Sequence, residues 1–151
     1  MHIHILRPTE STDEAHLERV NQFLYKHLEQ YGDPKEDIRK AMNYALSTET
    51  GKGGLILYTT DEEKQQLIGA VVINDTGMRD YIPENILVYI AVDKTYRGQG
   101  IGKQLMQEAM RQVNGSIALH VEPDNPAKKL YEALGFTNKY LEMRWQNPKN
   151  T

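Results

Sequence analysis

The start of the chain has two patterns of apolar and polar positions, one typical of a strand and one typical of a helix. Residues 2–6 alternate between polar and apolar side chains, which predicts a short β-strand. Across residues 12–31 the apolar side chains recur every three or four positions, which predicts an amphipathic helix with one buried stripe. The stripe consists of Leu17, Val20, Phe23, Leu24, Leu28 and Tyr31.

Residues that favour helix ends bound this helix and predict a second one directly after it. Thr12 or Ser11 is suited to cap the first helix, and Gly32 is suited to end it. Pro34 favours the first turn of the second helix, with Asp33 as its cap. The inner face of the second helix is predicted to contain Ile38, Ala41, Met42 and Ala45.

The middle of the chain predicts three consecutive strands. Residues 55–60 and 67–74 are rich in apolar and β-branched side chains, and a short polar connection joins them, which indicates a hairpin. Residues 86–92 form a nearly continuous apolar run, which is typical of a strand covered on both faces.

The C-terminal part of the chain alternates between helix and strand patterns. The predicted elements are a glycine-rich turn over 93–102, a helix over 103–113, a buried strand over 116–121, a short helix over 126–134 and a strand over 140–145. The predicted order is βααβββαβαβ, in which an antiparallel meander precedes strand–helix–strand units. We therefore expect a mixed α/β chain that forms a single domain over residues 1–151.

Composition and charge limit the classes of protein to which the chain can belong. Its 151 residues suit one compact domain, and 39% hydrophobic residues are enough to form a core. Lysine and arginine total 18 against 21 acidic residues, and the net charge of -3 does not indicate a nucleic-acid-binding protein. Because the chain has no cysteine, disulfide scaffolds, cysteine-ligated metal sites and cysteine nucleophiles are excluded.

The sequence also gives no sign of a membrane segment or of a metal centre. The longest apolar run is far shorter than a membrane span, and the N-terminus lacks the apolar core of a signal peptide. We therefore expect a cytoplasmic protein with no membrane partner. His2 and His4 point the same way on a predicted strand, but two ligands without an acidic neighbour do not indicate a metal site.

The glycine-rich segment 93–102 separates a buried strand from a helix and is the most informative part of the sequence. Such a turn directs free backbone N–H groups at one place, and the start of the helix adds partial positive charge. With the formal charges of Arg97 and Lys103, the segment predicts a phosphate or pyrophosphate site. The phosphate-loop motif would need glycine at Arg97 and a hydroxyl residue at Gln104. The dinucleotide motif would need glycine at Lys103, so neither pattern fits.

The same segment resembles the acetyl-CoA pyrophosphate loop of the GNAT N-acetyltransferase superfamily. The family pattern Arg/Gln-x-x-Gly-x-Gly/Ala is matched by Arg97, Gly100 and Gly102. Residues 124–136 are similar to a second family motif, the Asn-x-x-Ala-x-x-x-Tyr-x-x-x-Gly-Phe helix. With the order of elements, these motifs imply a GNAT-like fold, in which antiparallel N-terminal strands precede a splayed parallel pair flanked by helices.

The second motif departs from the family at its first position. The family asparagine falls on Asp124, and Asn125 stands one residue later. Either Asn125 reaches the cofactor through a local shift, or Asp124 caps the helix ahead of Pro126. We favour Asn125 as a cap that also contacts the cofactor.

The resemblance implies that acetyl-CoA is the cosubstrate and indicates which residues would hold it. The end of the strand 86–92 would pair its backbone with the pantetheine amides, in a gap between strands that end at Val92 and Val121. The N–H groups of the glycine-rich segment would bind the pyrophosphate. The expected cofactor-binding residues are Ile90, Ala91, Val92, Arg97, Gly98, Gln99, Gly100, Ile101, Gly102, Lys103, Asn125 and Tyr131.

The resemblance also implies transfer of the acetyl group to a primary amine by direct attack in a ternary complex. A backbone N–H near Ala91 or Val92 would stabilise the thioester oxygen, and Tyr131 would be the general acid. The general base is open, with a water relay as one alternative to a side chain. The side chains considered for this role are Glu84, His120 and Glu122.

In the family the acceptor binds between the first two helices and the loop after the hairpin, here roughly residues 25–37 and 78–84. These segments carry Tyr31, Asp33, Asp80, Tyr81 and Glu84, a mixture that suits a cationic amine. The acceptor would be a small molecule or a peptide, and a homodimer is a reasonable expectation. A non-catalytic acyl-CoA-binding module is the alternative, because Val88 and Tyr89 stand where many relatives have a carboxylate.

Overall fold

The computed structural model describes residues 1–150, which fall into two compact units, Met1–Leu119 and a second unit that begins at His120. In the described part of the first unit the strands are β1 (Ile3–Leu6), β2 (Gly54–Asp61), β3 (Gln66–Asp75), β4 (Asn85–Val92) and β5 (Ile117–Leu119). Its helices are α1 (Glu14–Leu28), α2 (Lys35–Ala45) and α3 (Ile101–Gln112). The second unit contains α4 (Ala127–Ala133).

The strands form one sheet in the order β1-β2-β3-β4-β5. Antiparallel ladders join β1 to β2, β2 to β3 and β3 to β4, whereas β5 runs parallel to β4. The predicted hairpin is confirmed, and β2 and β3 each extend one residue further at both ends than the sequence indicated. A mixed sheet of antiparallel strands followed by a parallel pair, with helices, confirms the predicted fold class.

Apolar side chains of α1 and α2 form the main core cluster with residues of β2, β3 and β4. The fully or largely buried members from the helices are Leu17, Val20, Phe23, Leu24, Ile38, Met42 and Ala45, all of them predicted core positions. Leu28 and Ala41 are only partly buried at the edge of the cluster. The same cluster includes Tyr89 and Ala91 of β4, so the apolar helix faces cover the strand that leads into the glycine-rich segment.

A β-bulge in β4 determines which face its side chains occupy. Val72 of β3 is opposite Tyr89, but the next residue, Ile73, is opposite Leu87, so Val88 is the extra residue. Because Val72 and Ile73 point to opposite faces, Tyr89 and Leu87 do so as well. Leu87 and Tyr89 are 5% and 7% exposed although they point to opposite faces, so β4 is covered on both faces at this point, as predicted, while half-buried residues alternate with the buried ones along the strand.

The first helix is shorter than predicted at both ends. The carboxylate of Asp13 accepts the N–H of Ala15 at 3.1 Å and caps α1, so the prediction of Thr12 or Ser11 as the cap is wrong. A 3-10 turn follows α1, and the N–H of Gly32 closes it. The predicted periodicity was correct, but the last turn is tighter than an α-helix.

The second helix has no side-chain cap. Pro34 occupies the N-cap position of α2, and no side chain accepts a hydrogen bond from the first turn. The prediction that Asp33 caps this helix is therefore wrong. Its carboxylate is instead bonded to the hydroxyl of Tyr89 on β4.

Two strands predicted near the C-terminus differ in the structure. β5 is limited to Ile117–Leu119 and is half-buried, in place of a buried strand over 116–121. Residues 140–145 form no strand, and the side chains of Tyr140, Leu141, Met143 and Trp145 are 78% to 90% exposed. Alternation alone does not make a strand, because a strand also needs a hydrogen-bonded partner, and within residues 1–150 this segment has none.

Candidate functional site

The edge of β4 that faces β5 is paired over only part of its length. The parallel ladder ends where Leu87 is opposite Leu119, whereas β4 continues to Val92. Within residues 1–150, no strand pairs with this edge beyond Leu87. Backbone N–H and C=O groups on this side of residues 88–92 can therefore bond to an extended ligand that carries amide groups.

The glycine-rich segment turns sharply between β4 and α3. Gly98 and Gly100 have φ angles of +82° and +81°, in the left-handed region that favours glycine. A Cβ atom added to either residue would meet no heavy atom within 4 Å, so the surface of the turn is open there. Gly100 is the N-cap of α3, and the helix begins at Ile101, two residues earlier than predicted.

The first amides of α3 lie directly at this open turn. The N–H of Gln104 donates to the carbonyl oxygen of Gly100 at 3.0 Å and forms the first bond of the helix. The N–H groups of Ile101, Gly102 and Lys103 consequently have no partner within the helix. Together with the positive end of the helix dipole, they form a set of donors suited to a diphosphate.

The side chain of Arg97 fastens the turn to the end of α1. Its guanidinium donates to the carbonyl oxygens of Val92 at 3.2 Å and of His27 at 2.9 Å. It also lies 3.3 Å from the carboxylate of Glu29. The arginine of the first motif therefore has a structural role, and its contribution to phosphate binding stays a prediction.

Asp93, His27 and Tyr96 also fix the turn, although the sequence pattern did not indicate them. Asp93 accepts the N–H and the hydroxyl of Thr95 at 2.9 and 2.8 Å and lies 3.6 Å from Nε2 of His27. Burial lowers the pKa of His27, although Asp93 opposes the change. The hydroxyl of Tyr96 donates to the carboxylate of Asp61. The spacing of Asp93 and Thr95 was a usable signal, because such pairs commonly form Asx turns.

Both carboxylate oxygens of Glu84 accept bonds from the backbone. Oε1 accepts the N–H of Ser116 and Oε2 accepts the N–H of Asp80, each at 2.8 Å. These bonds lower the pKa of Glu84. The side chain therefore joins the start of β4 to the connection before β5 and to the preceding loop.

Tyr89 and Asp33 form a pair on the α1 and α2 side of the sheet. Tyr89 is 7% exposed, and its hydroxyl donates to Oδ2 of the exposed Asp33 at 2.5 Å. Burial, together with the bond to Asp33, raises the pKa of Tyr89 well above its usual range, so the phenol stays protonated. The two residues are 56 positions apart, and no local sequence pattern connects them.

The second unit contains the remaining predicted site residues. Tyr131 is 7% exposed, and burial raises its pKa to about 12. Pro126 is the N-cap of α4, and the Oδ1 atom of Asn125, one residue earlier, accepts the N–H of Ala127, the first residue of the helix, at 2.9 Å. His120 and Glu122 precede α4 and are exposed. The catalytic and cofactor-binding roles of these residues stay predictions.

The structure also bears on metal and membrane sites. Among residues 1–150, no group of three or more histidine and carboxylate side chains is placed to hold a metal ion. The rings of His2 and His4 lie 4.3 Å apart, and the ring of His4 stacks on that of Tyr58. None of the helices in the described part of the chain is long and apolar enough to cross a membrane.

Comparison with protein families identifies one matching domain. The model of the acetyltransferase (GNAT) domain matches residues 53–138, which is more than half of the chain. The matched range includes the unpaired edge of β4, the glycine-rich segment and α4. A search of the curated proteins found no match.

Solved structures with a similar fold include several acetyltransferases. The aminoglycoside N-acetyltransferase AAC(6')-Iy in complex with CoA is 18% identical, with 97% of this chain and 95% of that chain covered and a TM-score of 0.69. The aminoglycoside 6'-N-acetyltransferase AAC(6')-IG from Acinetobacter haemolyticus is 18% identical, with 97% and 98% covered and a TM-score of 0.68. A putative acetyl transferase from Pyrococcus furiosus is 24% identical, with 97% and 100% covered and a TM-score of 0.58. These similarities concern the fold.

Proposed function

This chain belongs to the acetyltransferase (GNAT) domain family, and from that premise we propose that it transfers an acetyl group from acetyl-CoA to a primary amine. The acceptor is a small molecule or a peptide that carries a cationic amine. Two neighbours of similar fold are named as aminoglycoside N-acetyltransferases, which supports a small-molecule acceptor. One of them is described in complex with CoA, which supports use of a CoA thioester.

The observation that carries this proposal is the continuity of the unpaired β4 edge with the open amides at the start of α3. The backbone of Ile90, Ala91 and Val92 would bond to the pantetheine amides of acetyl-CoA. The pyrophosphate would bind the amides of the turn that follows, from Arg97 to Lys103. The members of that turn are Arg97, Gly98, Gln99, Gly100, Ile101, Gly102 and Lys103. All these contacts use the backbone, so the strand and the helix start would hold the cosubstrate.

In the proposed reaction the neutral amine attacks the thioester carbon. The new C–N bond forms, the C–S bond breaks, and a backbone N–H near Ala91 or Val92 stabilises the oxyanion. Tyr131 donates a proton to the departing thiolate, and its raised pKa keeps the phenol protonated at neutral pH. Asn125 contacts CoA beside its bond to the start of α4.

The structure gives different support to the two carboxylates considered as the base. Glu122 is exposed and stays a candidate. Glu84 is less suited to take a proton, because the N–H groups of Ser116 and Asp80 donate to its two oxygens and favour the charged form of the carboxylate. A water relay can replace either side chain.

A non-catalytic acyl-CoA-binding module is the second candidate function. Neither Val88 nor Tyr89 supplies a carboxylate from β4, which is the observation that favours this alternative. Such a module would bind the cosubstrate through the same backbone groups but would not release CoA in the presence of amines.

Binding and turnover measured on the same protein separate these possibilities. Isothermal titration calorimetry measures acetyl-CoA binding, and a thiol reagent detects CoA released with spermidine, lysine, kanamycin or a lysine-containing peptide. Saturable binding with release for at least one amine is the expected result. Binding without release across the panel would favour the module, and absence of acetyl-CoA binding would contradict both functions.

A further inference from the structure

The connection between α1 and α2 is tied to the strand that leads into the cofactor turn. The hydroxyl of buried Tyr89 reaches Oδ2 of Asp33 at 2.5 Å, across 56 positions of sequence. Asp33 itself is exposed, so the bond holds a solvent-accessible carboxylate in a defined place over the sheet. Among residues 1–150, no hydrogen bond or ion pair uses its second oxygen, Oδ1.

The chain on the C-terminal side of Asp33 is also held in place. Asn21 of α1 is 3% exposed, and its Nδ2 donates to the carbonyl oxygen of Lys35 at 3.1 Å. The ammonium group of Lys35 lies 2.7 Å from the carboxylate of Glu18 on α1. Asp33 therefore lies between two fixed points, the start of α2 and the hydroxyl of Tyr89, and its carboxylate is preorganised.

The position of Tyr89 on β4 relates this carboxylate to the proposed reaction centre. Tyr89 and Ala91 are two residues apart and belong to the same core cluster, so their side chains occupy one face of the sheet. Two residues of a strand span roughly 7 Å. The bulge at Val88 puts Tyr89 on this face of the sheet, because Leu87, on the other side of the bulge, points to the opposite face.

We propose that Asp33 is the catalytic carboxylate that binds the ammonium group of the acceptor through Oδ1 and receives its proton, with Tyr89 as the positioning residue. This inference rests on the proposed acetyl transfer, since the thioester is placed beside Ala91 and Val92. It specifies an acceptor that is cationic before reaction. The exposed side of the carboxylate gives such an amine access from solvent.

The proposed step balances in protons and electron pairs. The acceptor ammonium transfers one proton to Oδ1 of Asp33, which leaves the nitrogen lone pair free to attack the thioester carbon. As the C–N bond forms and the C–S bond breaks, the thiolate takes a proton from Tyr131, and the second proton lost by the nitrogen returns through solvent to Tyr131, which becomes a neutral phenol again. Asp33 then releases its proton to solvent, and the products are the N-acetylated amine and CoA thiol.

A purely structural role for the pair makes a different prediction. A buried phenol needs a hydrogen-bond partner, and Asp33 could serve only to supply one. In that case removal of the carboxylate harms the protein by leaving the hydroxyl of Tyr89 without a charged acceptor, and removal of both groups relieves the penalty. If Asp33 acts on the acceptor, removal of the hydroxyl cannot restore activity.

The test compares Asp33→Asn, Tyr89→Phe and the double variant with the wild type. Each protein is assayed for acetyl-CoA dissociation constant by calorimetry, and for kcat and KM with whichever of spermidine, kanamycin, lysine and the lysine-containing peptide the wild type acetylates. Asp33→Asn and the double variant should both lose about 100-fold in kcat/KM, within the range for loss of a proton-transfer group. Acetyl-CoA binding should change less than about twofold, which is far smaller than the catalytic loss. Glu10→Gln, an exposed carboxylate between β1 and α1, is the control and should keep wild-type activity.

The outcomes separate this inference from the proposed function. Recovery of activity in the double variant, or normal activity in Asp33→Asn, would overturn the inference and leave acetyl transfer intact. If Asp33→Asn alone fails to fold, the double variant decides, since it has no unpartnered phenol: a folded inactive protein supports the role and an active one overturns it. Failure of the wild type itself to bind acetyl-CoA or to release CoA would contradict the proposed function, and this inference with it.

Discussion

Single residues whose polar groups are buried determine much of the chemistry of this chain. The hydroxyl of Tyr89 has a partner in Asp33, whereas Nε2 of His16 is buried and has no hydrogen-bond partner among residues 1–150. Tyr131 is buried to the same degree as Tyr89. Burial favours the neutral form of each group, so substitution and pH have their clearest effects at these positions.

Replacement of Tyr131 by phenylalanine tests its proposed role as general acid. The substitution removes the hydroxyl and keeps the buried ring, so we expect kcat to fall by about 10²–10⁴-fold, as is typical for a lost proton donor. Acetyl-CoA affinity measured by calorimetry should be nearly unchanged. Tyr140→Phe, at a tyrosine that is 79% exposed, is the control and should behave as wild type. Equal kcat values for Tyr131→Phe and wild type would remove Tyr131 from the mechanism.

Because His16 is partly buried, we expect the free energy of unfolding to fall in mild acid. Its ring packs 4.7 Å from that of Tyr58, and burial is the main cause that lowers its pKa in the folded state. The unfolded chain, with a histidine pKa of about 6.5, then binds the proton more readily than the folded chain. The stability that the neutral His16 contributes is complete above about pH 6.5. It is lost as the pH falls from there through the lowered pKa of His16 in the folded state.

Urea unfolding followed by circular dichroism at about pH 7.5 and about pH 5.5 measures this effect. The midpoint of the wild type should be lower at the acidic pH, and His16→Phe should show a smaller drop because the titrating group is gone. Some drop should persist, since burial also lowers the pKa of His27. His120→Phe, at an exposed position, should retain the full wild-type drop. Identical drops in wild type and His16→Phe would contradict the assignment.

At the scale of elements, the turn between β4 and α3 is held mainly by the side chains of residues other than its glycines. Arg97 bonds to the end of α1, Asp93 closes the 3-10 turn, and Tyr96 bonds to Asp61 at the end of β2. These contacts leave Gly98 and Gly100 with open space around them. A change at those glycines should therefore affect a ligand more than the fold.

Substitution of Gly100 by glutamate should abolish acetyl-CoA binding. The new side chain places bulk and negative charge at the open amides of α3, where the pyrophosphate is proposed to bind. Gly51→Glu is the matched control, because Gly51 has a φ of +85° against +81° for Gly100 and equally has no heavy atom within 4 Å of an added Cβ. Both variants should lose similar stability from the left-handed backbone, about 1–2 kcal/mol. Calorimetry should show acetyl-CoA binding by Gly51→Glu only, and binding by Gly100→Glu would show that the ligand lies elsewhere.

The local patterns predicted most elements, and the errors occurred where distant residues decide the structure. Period and β-branched composition located α1, α2 and the β2–β3 hairpin to within a few residues. The same alternation over residues 140–145 did not produce a strand, because pairing requires a partner that the pattern does not specify. Asp33 has the local features of a helix cap, but its carboxylate accepts a hydrogen bond from the hydroxyl of Tyr89 instead.

At the scale of the whole molecule, one part of the candidate site could be predicted from the sequence and another part could not. The motif around Arg97, Gly100 and Gly102 was visible in the sequence because a backbone phosphate site needs glycines at fixed spacing before a helix. The pair of Asp33 and Tyr89 was not visible as a unit, since only the sheet and the bulge at Val88 bring the two residues together. Chemistry held by consecutive residues can be read from a sequence, whereas chemistry assembled from separate elements requires the fold.

Occupation of the β4 edge and the adjacent turn should stabilise the folded chain as a whole. A ligand that binds only the folded state adds about 2.7 kcal/mol at a hundred times its dissociation constant. For a chain of this length that corresponds to a rise of about 5–11 °C in Tm. Differential scanning calorimetry with saturating acetyl-CoA should show this rise in the wild type and in Gly51→Glu, but not in Gly100→Glu. Magnesium–ATP should produce no rise, because Arg97 and Gln104 replace residues that the phosphate-loop motif requires. An equal rise with magnesium–ATP and with acetyl-CoA would show that the turn binds phosphates without preference for coenzyme A.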